Sequence, residues 1–306
     1  MSTRRHGPSL SSADAGVAYG VGAYFLWGLF PAFFGLLDFA GAVEILAHRI
    51  LWTLAVMVLV MLVLGRLRSL RELSRKTWGL VAVASLMIAI NWGMYVYGVT
   101  SGHVVECALG YFINPLVSVL FGVIIFRERL VPAQIAAVAI AVAAVVVITV
   151  DYGKPPWIAL TLACSFATYG LVKKVVPLDP LRSLTGEGVV AAPFALAYVI
   201  YLSATGTGTF GTDGWAHSLL LMAAGPITCV PLVLFGAAAQ RVPLVTMGIL
   251  QYLTPALQMA YGVVIDHEDM PASRWIGFAM IWVALAVFTT DALRRYRKAS
   301  VLGGEP

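Results

Sequence analysis

The sequence predicts an all-α integral membrane protein with ten transmembrane helices in two inverted five-helix repeats. Three observations carry this prediction: the scarcity of charge, ten apolar runs of spanning length, and an internal repeat that relates runs of opposite orientation. Hydrophobic residues make up 60% of the 306 and charged residues 11%, with a mean hydropathy of +0.88. A soluble domain carries roughly 25% charged residues, so this chain lacks the polar surface that keeps a globule in water. The net charge of +5 does not call for a nucleic-acid partner. Most basic residues sit in short stretches between apolar runs, where cytoplasmic loops concentrate them.

The apolar runs lie at about 16–36, 43–64, 78–98, 104–126, 133–150, 157–172, 187–203, 218–238, 244–265 and 273–292. Each approaches the roughly 20 residues needed to cross about 30 Å of hydrocarbon. The first run follows Arg4 and Arg5 but is too long for a signal peptide and has no small-residue cleavage site, so it is expected to be retained. Pro31, Pro115, Pro193, Pro226, Pro231 and Pro255 fall inside runs, where they should kink or break helices at membrane depth. Cys107, Cys164 and Cys229 are widely spaced within runs and read as packing residues, with no metal pair or disulfide framework. No cofactor is expected.

Charge sets the orientation. One set of loops holds Arg66, Arg68, Arg71, Arg75 and Lys76, then Arg127 and Arg129, Lys173, Lys174 and Arg182, and Arg241; Arg294, Arg295, Arg297 and Lys298 close the chain. The opposite set has only Lys154 and Arg274 beside Asp38, Asp151, Asp213, Asp266, Glu268 and Asp269. The asymmetry predicts a multi-pass protein of the cytoplasmic membrane with both termini inside.

Sliding the sequence by 140 positions places Leu109-Gly-Tyr-Phe-Ile-Asn-Pro115 on Ile249-Leu-Gln-Tyr-Leu-Thr-Pro255, Gly122 on Gly262 and Glu128 on Glu268. A shift of 142 places Trp27-Gly28-Leu29 on Tyr169-Gly170-Leu171. The repeats then cover residues 1–153 and 154–306. Five spans per repeat is an odd number, so the halves lie upside down relative to each other. Inverted repeats mark secondary transporters, with the solute site near the midplane; the plainer reading is a duplication that only built a stable bundle.

Polar groups within runs are costly, so they nominate the site. Glu44 and His48 are four apart on one helix face, and Arg49 is turned about 100° from His48. Glu106 shares a run with Tyr111 and Asn114-Pro115, and Asn91 shares another with Trp92 and Tyr95. Gln251 and Tyr252 precede Thr254-Pro255, the repeat mate of Asn114-Pro115. One expectation pairs Arg49 with Glu106 or Glu44 and makes Glu106 or His48 a proton-coupling group. The plainer one places Glu44, Glu106 and Glu187 at helix starts, where the helix dipole stabilises a carboxylate; for Glu187 the plainer reading is preferred. The kinked helices at Asn114-Pro115 and Gln251, Tyr252 and Pro255 are expected to line the cavity, with Trp27, Trp92, Tyr95 and Tyr111 as an aromatic wall.

The segments YFLWGLFPAFF, AVEILAHRILW, NWGMYVY, VECALGYFINPL, SFATYGLVKK, LQYLTP and FAMIWVALAVF resemble the RarD family, in the EamA-like branch of the drug/metabolite transporter superfamily. The resemblance runs from about Gly16 to Leu293. It implies ten helices in two inverted repeats and a cytoplasmic-membrane permease, in a family linked to chloramphenicol sensitivity. Glu44, His48 and Arg49 match the family's second-helix motif, and Glu106, Tyr111, Asn114 and Pro115 its fourth-helix motif. The family's usual G-E-R turn reads Arg127-Glu128-Arg129 here. The function expected is secondary active transport of small organic metabolites or drugs by alternating access. The partners expected are a small-molecule solute, protons as coupling ion and membrane lipid, with a homodimer left open. The alternatives are an integral-membrane enzyme, for which no H-E-x-x-H set or paired-aspartate motif is present, and a non-transporting scaffold.

Overall fold

Helix lengths in the structure follow the thickness of a bilayer. A computed structural model describes residues 12–126, 130–212, 214–239, 241–242 and 244–301; the Arg127-Glu128-Arg129 turn, Arg4, Arg5 and Asp213 lie outside them. The helices are α1 (Ser12–Gly28), α2 (Phe30–Gly35), α3 (Ala42–Val63), α4 (Arg75–Thr100), α5 (Val104–Phe126), α6 (Pro132–Tyr152), α7 (Trp157–Val175), α8 (Pro180–Thr205), α9 (Trp215–Ala239), α10 (Leu244–Leu250), α11 (Leu253–Val264) and α12 (Ala272–Val301). A short 3₁₀ turn, Leu67–Leu70, joins α3 to α4. No strand occurs among the described residues. Nine segments there are long and apolar enough to cross a membrane, with α1 and α2 forming one of them. The tenth predicted run, 244–265, is split into α10 and α11.

Both broken runs owe their break to a proline just downstream. Pro31 lies in the first turn of α2 and Pro255 in the first turn of α11. A proline lacks the N–H that would bond four residues back, and its ring crowds that carbonyl. The Trp27 carbonyl freed by Pro31 accepts instead from Gln258 Nε2 of α11 at 3.2 Å. Thr254 Oγ1, one turn earlier on α11, donates to the Tyr24 carbonyl at 2.8 Å. The two broken runs are therefore tied to each other. Pro115, Pro193, Pro226 and Pro231, in contrast, lie inside continuous helices.

The span predicted to begin at 187 begins at Pro180. Asp179 caps it, its side chain accepting from the Arg182 N–H at 3.3 Å, and proline occupies the first helical position. Asp-Pro is a strong helix start. The first two turns of α8 are polar, which hides them from a search for apolar residues.

Small residues set the closest helix approaches, as expected where lipid gives no hydrophobic drive for association. A Cβ on Gly225 of α9 would lie 2.6 Å from the Trp52 carbonyl oxygen of α3, and one on Gly110 of α5 would lie 2.8 Å from the Ala159 oxygen of α7. Gly28 packs on Leu257, whereas its sequence counterpart Gly170 faces open space. Large apolar side chains such as Val63, Ile124, Phe194 and Val233 point outward. Cys107 and Cys229 are buried, and Cys164 is exposed.

The packing has an internal order. Set α1–α2, α3, α4, α5 and α6 against α7, α8, α9, α10–α11 and α12, and exchange the two sets. The α1–α9 contact becomes α7–α4, α5–α7 becomes α11–α1, and α3–α9 becomes α8–α4; all six are observed. The pairs α3–α8, α5–α11 and α6–α12 map onto themselves and are also observed. The main departure is α3 against α4, which pack more closely than α8 and α9 do.

Candidate functional site

Arg49 lies on α3, two turns inside the membrane-spanning helix, and is 3% exposed. Gly225 lets α9 come against α3, which brings Thr228 to 3.0 Å from Arg49 Nε. Aromatic rings surround the guanidinium: Trp92 of α4 at 4.1 Å, Phe34 at 5.1 Å and Phe30 at 5.5 Å, the last two on α2. The phenols of Tyr111 and Tyr95 lie within electrostatic range. Nη1 is buried without a hydrogen-bond partner, and so is the Tyr95 hydroxyl. Among the described residues Arg49 forms no ion pair. Each aromatic face contributes about 0.5–2 kcal/mol and the charged hydrogen bond about 1.5–3 kcal/mol. Together these are enough to offset the roughly 2.5–3.5 kcal/mol that a central arginine costs on insertion scales. The cation is thus held in place while its charge stays uncompensated by any carboxylate among the described residues and Nη1 stays buried and unbonded.

A neutral polar network lies beside it. Asn91 of α4 donates from Nδ2 to the Leu162 carbonyl at 3.0 Å and to Ser165 Oγ at 3.1 Å, both on α7. Its Oδ1 accepts from the Tyr111 hydroxyl at 3.3 Å. The Tyr111 and Tyr95 rings are 5.8 Å apart, and Tyr95 meets Phe34 edge-on at 6.0 Å. The structure therefore brings Arg49, Asn91, Trp92, Tyr95 and Tyr111 into one cluster.

The expected pairing of Arg49 with Glu44 or Glu106 is corrected. Glu44 Oε1 accepts from the Thr209 N–H at 2.8 Å, the Thr209 hydroxyl at 3.0 Å and the Phe210 N–H at 3.4 Å. Glu106 Oε1 accepts from the N–H groups of Ile158 at 2.9 Å and Ala159 at 3.4 Å, the first turn of α7. Both carboxylates sit in the first turn of their own helix and satisfy backbone donors of another element. A third does the same: Glu268, before α12, accepts from Val104 N–H and, at 3.2 Å, from Val105 N–H at the start of α5. Burial pushes the Glu268 carboxyl up to about 7, outweighing the two backbone donors that favour its charged form. His48 stacks on Phe210 at 4.6 Å with both ring nitrogens buried and unpartnered.

The remaining nominated residues lie elsewhere. Asn114 is half-buried on α5 and its Oδ1 has no partner. Gln251 and Tyr252 form the break between α10 and α11, and Tyr252 packs against the apolar cluster that includes Phe112, Met259 and Leu285. Pro255 is buried at the start of α11. Trp27 supplies a ring to Tyr24 and Phe235 rather than to Arg49.

The reading of Glu187 as a carboxylate at a helix start is also corrected. It lies two turns into α8, is 2% exposed, and pairs with Lys173 Nζ of α7 at 2.7 Å. Ser183 Oγ donates to the same carboxylate oxygen at 2.8 Å, and Tyr169 hydroxyl to the other at 3.0 Å. Lys173 also donates to Ser183 Oγ, and Ser85 of α4 donates to the Glu187 backbone carbonyl at 2.8 Å. Glu187 lines a small cleft with Ser85, Thr53 and Trp92, so this cluster and the Arg49 cluster meet at Trp92. One signal was available: Tyr169 and Lys173, and Ser183 and Glu187, stand four apart on what the structure shows to be the adjacent helices α7 and α8.

A multi-span helical bundle with two proline-broken runs and a buried polar cluster between its helices is the architecture of a polytopic membrane protein, and the comparisons give its class. Residues 14–150 match the EamA-like transporter family. The chain is 51% identical over 286 residues to Protein RarD of Streptomyces exfoliatus, covering 93% of this chain and 91% of that one. It is 40% identical to an uncharacterized transporter of Bacillus subtilis, covering 93% and 96%, and 38% identical to Protein RarD of Escherichia coli, covering 93% and 97%. A crystal structure of a protein with 20% identity shares the fold, with a TM-score of 0.58 over 91% of this chain and 98% of that one. The chain belongs to the RarD group of the EamA-like transporter family, within the drug/metabolite transporter superfamily. It is a multi-pass membrane transporter.

Proposed function

We propose that this protein is a secondary carrier that moves small organic solutes across the cytoplasmic membrane by alternating access. Residues 1–153 and 154–306 form inverted five-span repeats, with α10 and α11 together completing a tenth span. The single observation that carries the reading is the composition of the Arg49 cluster. Phe30, Arg49, Trp92 and Tyr111 come from the first half, Thr228 and Ser165 from the second. A solute there touches both halves, and rocking one half against the other exposes it to each face in turn. The near-invariance of helix packing on exchanging the halves supports the repeat. The loop charges support termini on the cytoplasmic side.

Protons as coupling ion find their best-placed group in Glu187 rather than Glu106 or His48. Glu106 is engaged by backbone donors of α7. His48 has an aromatic neighbour on Phe210 and no hydrogen-bond partner. Glu187 has a cation to release on protonation, Lys173 at 2.7 Å, and it lies along the cleft that reaches Trp92. The test is counterflow in proteoliposomes loaded with a small-metabolite extract. Saturable exchange accelerated by solute on the far side is expected; flux that rises linearly without saturation marks a pore and removes the carrier reading.

A further inference from the structure

We infer that the Arg49 cluster takes the oxyanionic head of a small organic anion, a carboxylate or phosphate group. The inference rests on the carrier reading above and assigns its substrate class. Arg49 is 3% exposed, and its position is fixed by the Thr228 hydrogen bond at Nε and by three aromatic rings. Among the described residues none of the acidic side chains pairs with it: Glu44, Glu106 and Glu187 each have other partners. A guanidinium is permanently charged and presents donors in a planar fork that matches oxyanions. Here one arm of that fork, Nη1, has no acceptor.

A second buried donor points to the same ligand. The Tyr95 hydroxyl, also unpartnered, belongs to a ring that meets Phe34, and Phe34 in turn lies under the guanidinium. Two orphan donors around one aromatic ring, with no orphan carboxylate beside them, form a set complementary to an anion. A cationic solute would meet like charge in a water-poor site, and a neutral one would leave the guanidinium charge unmatched. The Phe30, Phe34 and Trp92 rings around the head site favour a flat or apolar body on the same molecule.

The test uses purified full-length protein and a bacterial small-molecule extract separated by ion exchange into anionic, neutral and cationic fractions. Thermal stabilisation is measured for each. The anionic fraction alone is expected to raise Tm. Arg49→Gln is expected to weaken that protection at least 10-fold in the concentration required, and Arg49→Lys, which keeps charge but not the fork, by a smaller factor. Equal or greater protection by the neutral or cationic fraction, protection by none, or undiminished protection of Arg49→Gln overturns the assignment. The wild-type comparison stands even if a variant does not fold. Counterflow separates the two readings. Saturable exchange of neutral or cationic solutes keeps the carrier and sinks the anion site. Protection by anions with linear, unsaturable flux keeps the anion site and sinks the carrier.

Discussion

Arg49 and Lys173 are both cations of membrane-spanning helices, yet they are satisfied in opposite ways. Lys173 meets a carboxylate 2% exposed, and that carboxylate collects two further hydroxyl donors. Arg49 meets aromatic faces, one threonine and no carboxylate. A partly buried cation with an internal counter-ion is tied to its partner helix, and it is the buried carboxylate that is left stranded when the cation is removed. A buried cation stabilised only by quadrupoles and a hydroxyl keeps its charge available to something that arrives from outside. The first arrangement joins α7 to α8, and the second is the one the proposed anion site requires.

The comparison breaks most visibly at Glu187. Glu187→Ala is expected to destabilise the folded protein by about 1–3 kcal/mol, below the full cost of breaking a buried pair because Lys173 stays partly exposed, read as a fall in Tm in detergent. Adding Lys173→Met to that variant should recover much of the loss, because no unpaired cation remains; a double variant as unstable as the sum of the singles would show the two residues to be uncoupled.

Arg49→Gln should do the reverse. Its stability is expected to stay within about 1 kcal/mol of wild type, since the charge it removes has no internal partner. Solute exchange in proteoliposomes should nevertheless fall by about 100-fold, the consequence of losing about 2.7 kcal/mol of binding. A stability loss as large as that at Glu187 would show that Arg49 serves the fold instead.

A smaller effect is expected at the end of the bundle where Glu268 meets α5. Its folded-state carboxyl lies near 7, above the ordinary 4.5. A carboxyl raised on folding binds more protons in the native state than in the unfolded one. Its contribution is therefore fully present below about pH 4.5 and is lost as pH rises through about 7. Hydrogen exchange at the amides of Val104 and Val105 should speed up across that window, and Glu268→Gln should flatten the dependence. Exchange that slows as pH rises, after correction for intrinsic rates, would reverse the sign.

The smallest effect is expected at Glu106→Gln. A glutamine side-chain oxygen can still accept from the first turn of α7, so stability should change by about 1 kcal/mol or less, the scale of a helix cap. Gradient-driven transport should persist. Its abolition, with Tm unchanged, would return Glu106 to the role of coupling group.

The apolar spans were readable from the chain because hydrocarbon imposes a length and a composition on every crossing. Of the six prolines expected to kink or break their runs, Pro31 and Pro255 stand at breaks, whereas Pro115, Pro193, Pro226 and Pro231 lie inside continuous helices. A missing N–H weakens a helix locally, and packing decides whether the helix breaks. Much of the polar cluster was also visible: Arg49, Asn91, Trp92, Tyr95 and Tyr111 were nominated because polar and aromatic groups at membrane depth need a reason. Their partners were not visible. Arg49 and Thr228 are separated by 179 positions, and whether they meet depends on Gly225 allowing α9 to lie against α3. Glu187 was misjudged because the polar first turns of α8 concealed where that helix starts.

What the sequence determined alone is the membrane class, the approximate positions of the nine long apolar helices among the described residues and the family, all consequences of local composition and motif. The tertiary structure decided which charges face each other. It sent Glu44 and Glu106 to backbone amides, joined Glu187 to Lys173, and left Arg49 among rings. Pairing is a matter of helix rotation and close approach, and a change of one residue in register turns a side chain by about 100°, so no local pattern specifies it.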